Sequence, residues 1–262
     1  MSQKILREIN WILPRFFLQG ISFNETGNSG FGDRLRGISL AIFLARFHRT
    51  NRIFYHEAPS SHFPYRMVDL IQIEGIELIP HSAPFPPRTL IVQHRCGYGS
   101  SLKSMGFRHL WRLKPKNPAF IDRIESLGIG ANHIGLHIRG TDALHKRFPG
   151  GEELQDRLLS AKLEQVRHKY PNQKIFLASD SRQGVRKWQE IATNMGFTVD
   201  FNDSAEWNET AHRQSSEADM LVDFFSLSRC SKIIRLVPSE FSRFAAGIKT
   251  GKYTKYHKSD KI

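Results

Sequence analysis

The chain has 262 residues, enough to bury a core in one large or two small domains, and its composition is that of a folded globular protein. Its net charge of +13 favours anionic partners such as nucleotide phosphates, nucleic acid or an acidic membrane surface, although a generally basic, solvated surface explains it equally well. The two cysteines, Cys96 and Cys230, form neither a disulfide framework nor a metal-ligand spacing, which predicts a reducing, cytoplasmic setting. No apolar run is long enough to span a bilayer.

The first half of the chain carries a weaker pattern than the second. Apolar residues at helical spacing predict an amphipathic helix over residues 4–19, either docked on the core or lying on a membrane surface. Small polar residues over 22–29 predict a loop, and the apolar face that follows predicts a helix. Short strands are expected at 53–55 and 90–93, and the prolines at 115–118 indicate a hinge.

The second half alternates predicted strands with predicted helices. The strands are expected at 134–138, 175–178, 197–201 and 233–237, and the helices at 117–127, 152–170, 183–195, 215–229 and 240–249. Such alternation predicts a parallel sheet with right-handed crossovers. We therefore expect an N-terminal domain over 1–116 and a C-terminal domain over 117–262.

Polar residues follow the strand predicted at 134–138, at the edge of the sheet where ligands bind. Alternation places Gly135, His137 and Arg139 on one face, with Gly135 leaving room beside the imidazole. The planar guanidinium of Arg139 suits a diphosphate, and Asp142 is a candidate to orient it. A structural Arg–Asp pair beside a satisfied histidine is the alternative.

Three further polar positions stand at strand ends or on one helix. Asp180 is a candidate either to accept hydrogen bonds from a ribose or sugar hydroxyl or to cap the next helix. Asp219 and Asp223 lie one helical turn apart, where either is a candidate to accept guanine N–H bonds or to be solvated. Ser239 precedes the last helix, where it can bind a phosphate or simply cap the helix.

A glycine-rich turn precedes the first predicted helix after the loop. It is neither a dinucleotide fingerprint nor a P-loop, but Gly30 and Gly32 still allow a ligand to approach the backbone. Asp33 is a candidate helix cap, and either Arg34 or Arg36 is a candidate to face a cleft.

Taken in order, these segments resemble the fucosyltransferase superfamily, which includes the nodulation fucosyltransferases, the α1,6-fucosyltransferases and the protein O-fucosyltransferases. The similar segments are Gly-Phe-Gly-Asp at 30–33, His-Ile-Arg-Gly-Thr-Asp at 137–142, Leu-Ala-Ser-Asp at 177–180, and Asp…Leu-Ser…Ser at 223–239.

The resemblance implies an α/β fold of the GT-B type: two Rossmann-like halves with parallel sheets, and a donor site mainly in the C-terminal half. It implies GDP-fucose or a related GDP-sugar as donor, inversion at the anomeric carbon, and no metal or other cofactor. By this resemblance Arg139 grips the diphosphate, and His137 and Asp223 contact guanine and ribose. Ser239 binds the β-phosphate, and Asp180 shapes the donor pocket.

The chain also departs from the family's pattern. Gly140 replaces the second arginine of the first motif, and Asp33 and Asp142 are the candidates for the acceptor base. The expected acceptor is a glycan or glycoconjugate. Alternatives are a transferase for another nucleotide sugar and an inactive nucleotide- or glycan-binding protein. Specific nucleic-acid binding is not expected, because the chain has no recognisable nucleic-acid motif.

Overall fold

The computed structural model describes residues 18–25, 30–57, 65–82, 84–93, 110–139, 151–207, 215–236 and 239–250. Within them lie two four-stranded parallel sheets and one small antiparallel pair of strands. The helix predicted at 4–19 falls outside these residues except for its last two, and Asp142 also lies outside them. Among the described helices, none is long and apolar enough to cross a membrane.

The N-terminal sheet is parallel and has the strand order β4-β2-β1-β5. Its side chains alternate, so that Phe23 and Tyr55 stack with ring centroids 5.2 Å apart on one face. In chain order the elements are β1 (Gly20–Glu25), α1 (Phe31–Phe47), β2 (Arg52–Glu57), α2 (Met67–Leu70), β3 (Ile71–Ile73), β4 (Glu77–Pro80), β5 (Thr89–Gln93) and, antiparallel to β3, β6 (Leu113–Pro115).

The predicted loop over residues 22–29 is wrong for its first four residues, which form the end of the central strand β1. Ser22 is polar but fully buried, and its hydroxyl donates to Thr89 Oγ1 at 2.7 Å. Because Thr89 lies 67 residues away on β5, the partner that makes Ser22 acceptable in a strand is invisible in the local pattern.

The C-terminal sheet is parallel as predicted, with the strand order β10-β7-β8-β9. Its helices also match the predicted ones to within a few residues. In chain order the elements are α3 (Pro118–Ser126), β7 (His133–Ile138), α4 (Gly151–Lys169), β8 (Lys174–Ser179), α5 (Arg182–Asn194), β9 (Val199–Phe201), α6 (Glu217–Arg229), β10 (Lys232–Arg235) and α7 (Glu240–Thr250).

The two faces of β7 divide as the alternation predicts. Leu136 and Ile138 belong to the buried cluster formed with α4 and α5. The opposite face meets α6, and here the expectation that Gly135 makes room for the imidazole is wrong. A Cβ at Gly135 would lie 2.7 Å from Leu227 Cδ2, so the glycine instead allows α6 to pack closely on the strand.

The last two helices complete the core of the N-terminal half. Phe31, at the start of α1, packs edge-on against Phe224 of α6 with ring centroids 4.9 Å apart, and both belong to the same buried cluster as Phe23. The strands of the two parallel sheets divide between 1–116 and 117–262, while the core is shared. The domain boundary therefore stays a prediction.

A buried ion pair ties α1 to the end of β2. Arg34 Nη1 donates to Glu57 Oε1 at 2.7 Å, and both side chains are almost inaccessible. Arg34 therefore turns towards the sheet rather than a cleft. Glu57 Oε2 accepts a hydrogen bond from the Met67 amide at 2.7 Å. Burial outweighs the Arg34 charge and raises the pKa of Glu57 to about 7.

We expect the contribution of Glu57 to stability to fall as pH rises. Its folded pKa of about 7 exceeds its ordinary value of 4.5, so the stabilisation is complete below pH 4.5 and is lost as pH rises through about 7. Denaturant unfolding between pH 5 and 8 gives the free energy of unfolding at each pH. The loss is the difference between wild type and Glu57→Gln in the slope of this free energy against pH. The exposed Glu77 supplies the control, Glu77→Gln. Equal slopes in wild type and Glu57→Gln would contradict this expectation.

Candidate functional site

A cleft of about 300 Å³ opens between the two halves, at the carboxyl ends of β7 and β8. The N-terminal ends of α1 and α7 and one face of α6 form its other walls. It gathers eight of the predicted site residues: Gly30, Gly32, Asp33, His137, Arg139, Asp180, Asp223 and Ser239.

Two helix N-termini meet at one end of this cleft. A Cβ at Gly32 would lie 2.6 Å from the Phe241 backbone nitrogen, so only glycine allows α1 to approach α7 this closely. Gly30 is the N-cap of α1 and provides no side-chain hydrogen bond, so the expectation that Asp33 caps the helix is wrong. The backbone N–H groups and positive dipole ends of two helices make this end of the cleft suitable for an anion.

Arg139 and Asp180 stand side by side at the ends of their strands. Arg139 Nε lies 3.6 Å from Asp180 Oδ2, and both side chains are mostly buried. Asp180 does not cap α5, because Ser181 Oγ accepts the hydrogen bond from the Gly184 amide at 3.2 Å. The carboxylate of Asp180 therefore lines the cleft and faces the guanidinium.

A chain of alternating charges connects the first turns of α1 and α7 beside the cleft. Arg36 Nη2 donates to Asp33 Oδ1 at 2.8 Å, and Arg36 Nη1 lies 4.0 Å from Glu240 Oε1. Arg243 Nη1 also donates to Glu240 Oε1, at 2.8 Å. Arg36 is thus the arginine near the cleft. The sequence interpretation missed Glu240, whose only signal is an acid directly after Ser239. Asp33 keeps 42 % of its side chain exposed.

Part of the cleft wall is aromatic. His137 stacks on Phe241, with ring centroids 5.1 Å apart and 28° between the planes. Phe241 is half-buried and lines the cleft. Ser215 and Met220 also line it and were not foreseen, since neither residue type signals binding on its own.

Asp223 is a buried acid of the cleft with an unpartnered carboxyl oxygen. Within the described part of the chain, its Oδ1 has no hydrogen-bond donor. Burial raises its pKa well above the ordinary value, the neighbouring Asp219 adds to the rise, and Arg123 opposes it. A buried carboxyl oxygen without a partner requires an explanation, and a bound N–H donor supplies one.

Asp219 is neither solvated nor part of the cleft wall, so both expectations for it are wrong. It is 1 % exposed, and its carboxylate accepts hydrogen bonds from Arg123, Asn202, Ser216 and the Glu206 amide. Its role is to organise the start of α6. In the described ranges, no group of three His, Cys, Asp or Glu side chains is arranged to hold a metal ion.

The two Rossmann-like halves, each built on a parallel sheet, form an α/β fold of the GT-B type, as expected. No protein-family model and no curated protein sequence matches the chain. Solved fucosyltransferases do match it in structure.

NodZ α-1,6-fucosyltransferase soaked with GDP-fucose superposes with a TM-score of 0.56 and 18% identity, covering 86% of this chain and 91% of NodZ. A FUT1 variant from Arabidopsis thaliana in complex with GDP superposes with a TM-score of 0.57 and 11% identity, covering 95% of this chain and 72% of FUT1. POFUT1 in complex with GDP superposes with a TM-score of 0.52 and 9% identity, covering 91% of this chain and 96% of POFUT1. The chain has the fold of these fucosyltransferases.

Proposed function

We propose that this protein is a glycosyltransferase that moves fucose from GDP-fucose to a hydroxyl acceptor, with inversion and without a metal ion. One observation carries the proposal: a single cleft brings together the N-termini of α1 and α7, Arg139, and the buried carboxyl of Asp223 with its unpartnered oxygen. Structures with this fold include NodZ soaked with GDP-fucose and POFUT1 in complex with GDP-fucose.

The donor fits this cleft by its chemistry. The helix N-termini at Gly30 and Ser239 and the planar guanidinium of Arg139 bind the diphosphate. Guanine offers two neighbouring N–H donors, which match the carboxylate of Asp223. His137 packs beside the nucleoside, and Asp180 holds Arg139 in position, as its 3.6 Å contact supports.

In the transfer step, the acceptor oxygen attacks the anomeric carbon as the bond from that carbon to the β-phosphate oxygen breaks. Negative charge grows on the leaving GDP, and Arg139 and the Ser239 amide stabilise it more in the transition state than in the ground state. The acceptor proton goes to a carboxylate. Asp33 is the base we favour, because it is exposed in the cleft and Arg36 holds one of its oxygens at 2.8 Å.

Calorimetric titration with GDP, GDP-fucose, GDP-mannose and a UDP-sugar, with and without EDTA, tests the proposal. We expect GDP and GDP-fucose each to bind with the same affinity with and without EDTA. Arg139→Ala should abolish the binding of both. Folded protein that binds no GDP compound would refute the proposed function. Binding without turnover would favour an inactive nucleotide-binding protein, and preference for another sugar would change the donor only.

The acceptor and the setting are further parts of the proposal. The acceptor we propose is a glycan or glycoconjugate, and the lack of a disulfide framework in the cysteine pattern supports a reducing cytoplasm as the setting. The net charge of +13 supports contact with acidic glycans or an anionic membrane surface. Screening neutral, acidic and lipid-linked glycans as acceptors tests these points.

A further inference from the structure

We propose that Arg123 and Asp219 form a positioning pair that holds Asp223 in register with the nucleobase and so sets selectivity for guanine. This inference rests on the proposed function and deepens it. Neither residue lines the cleft, so both act through Asp223.

The contacts of Asp219 are those of a fixed anchor. It is the third residue of α6, and its amide donates to Ser216 Oγ at 3.2 Å in the N-cap. Asp219 Oδ1 accepts from Arg123 Nη2 at 2.6 Å and from Asn202 Nδ2 at 3.0 Å. Asp219 Oδ2 accepts from the Glu206 amide at 2.8 Å and from the Ser216 hydroxyl. Both carboxylate oxygens are therefore fully occupied.

Arg123 connects three segments of the chain to one another. It projects from α3, and its Nη2 also approaches Asn202 Oδ1 at 3.3 Å and Ser204 Oγ at 3.2 Å. The turn after β9, the start of α6 and α3 are thereby fixed to one another. Met220 and Asp223, the two residues of α6 in the cleft wall, follow Asp219 by one residue and by one helical turn.

The same pair acts on the charge of Asp223. The Asp219 carboxylate raises the pKa of Asp223 and the Arg123 guanidinium lowers it, in addition to the larger effect of burial. Only ionised Asp223 accepts both N–H bonds of guanine, so the pair influences position and protonation together. The other ionisable groups that line the cleft are Asp33, His137, Arg139, Asp180 and Glu240.

The test compares GDP with inosine diphosphate, which lacks the exocyclic amino group of guanine. We expect wild type to prefer GDP, and Arg123→Met to reduce that preference roughly tenfold because Asp223 is no longer held in register. Arg123→Lys should restore part of it. Arg229→Met is the matched control, because Arg229 also joins α6 to α3, through Ile124 O at 3.4 Å and Glu125 Oε1 at 3.7 Å.

The pH dependence of GDP affinity separates positioning from a merely structural role. Affinity falls as Asp223 becomes protonated. Arg123→Met removes a cation and should move the midpoint to higher pH, whereas Asp219→Asn removes an anion and should move it to lower pH. General loosening of the fold would not move the two midpoints in opposite directions. Thermal unfolding of each variant establishes that folded protein is compared.

The outcomes are distinct. A reduced preference for GDP over inosine diphosphate in Arg123→Met, with pH midpoints that shift in opposite directions in Arg123→Met and Asp219→Asn, supports the positioning pair. Wild type that binds GDP, with unchanged preference and midpoint in Arg123→Met, overturns this inference alone. If Asp219→Asn fails to fold, the base preference and the pH midpoint of Arg123→Met and Arg123→Lys still test the inference. Folded wild type that binds no GDP overturns the proposed function and this inference with it.

Discussion

Arg139→Lys is expected to lower kcat/KM for transfer from GDP-fucose about ten- to hundredfold, the cost of roughly 1.5–3 kcal/mol for a lost charge-assisted hydrogen bond. Lysine keeps the positive charge but not the planar fork that binds two phosphate oxygens. Because leaving-group charge grows in the transition state, we expect kcat to fall more than KM rises. Steady-state kinetics over a range of GDP-fucose concentrations measures both.

Arg52→Lys is the matched control for this substitution. Arg52 is an exposed arginine whose Nε donates to Glu77 Oε2 at 3.0 Å in the N-terminal sheet, away from the cleft. It should have wild-type kinetics. Wild-type turnover in Arg139→Lys would refute the role assigned to Arg139.

Asp223→Asn is expected to abolish GDP binding while making the free protein more stable. In the complex, the amide group presents N–H donors to the N–H donors of guanine. Loss of two charge-assisted hydrogen bonds, each worth roughly 1.5–3 kcal/mol, weakens binding by at least about a hundredfold. In the free protein, a neutral amide removes the cost of ionising a buried carboxyl.

The sign of the stability effect follows from the raised pKa of Asp223. A carboxyl with a raised folded pKa loses its stabilisation as pH increases, so the advantage of Asp223→Asn should grow with pH. Denaturant unfolding at pH 6 and pH 8, together with calorimetry, measures both effects. Asp203→Asn, at an exposed acid after β9, should change neither. Unchanged GDP affinity in Asp223→Asn would remove Asp223 from the donor site.

The C-terminal half was predictable because its signals are local. Each strand is a short apolar run, and each helix has a separate apolar face. The carboxyl ends of parallel strands share one edge, so the strand pattern alone predicts that Arg139 and Asp180 lie close together. The order of the motifs then adds Ser239 and Asp223 to the same cleft.

The errors share a different cause, which is that partners distant in sequence decide the outcome. Ser22 belongs to a strand because Thr89 accepts the hydrogen bond from its hydroxyl, and Arg34 is buried because Glu57 accepts the hydrogen bond from its guanidinium. Gly135 accommodates Leu227 rather than the imidazole. Asp219 is buried because Arg123 lies beside it, 96 positions earlier. None of these partners can be read from periodicity.

The contact between Gly32 and the Phe241 backbone has a consequence for how such a sequence can drift. Backbone N–H groups at a helix end keep their positive character whichever side chains surround them, so neighbouring positions that do not contact the donor are free to change over generations. Position 32 is the exception, since every replacement brings a Cβ to within 2.6 Å of another backbone. Divergence can therefore change the side chains around these helix ends that the donor does not contact, while this one glycine stays in place.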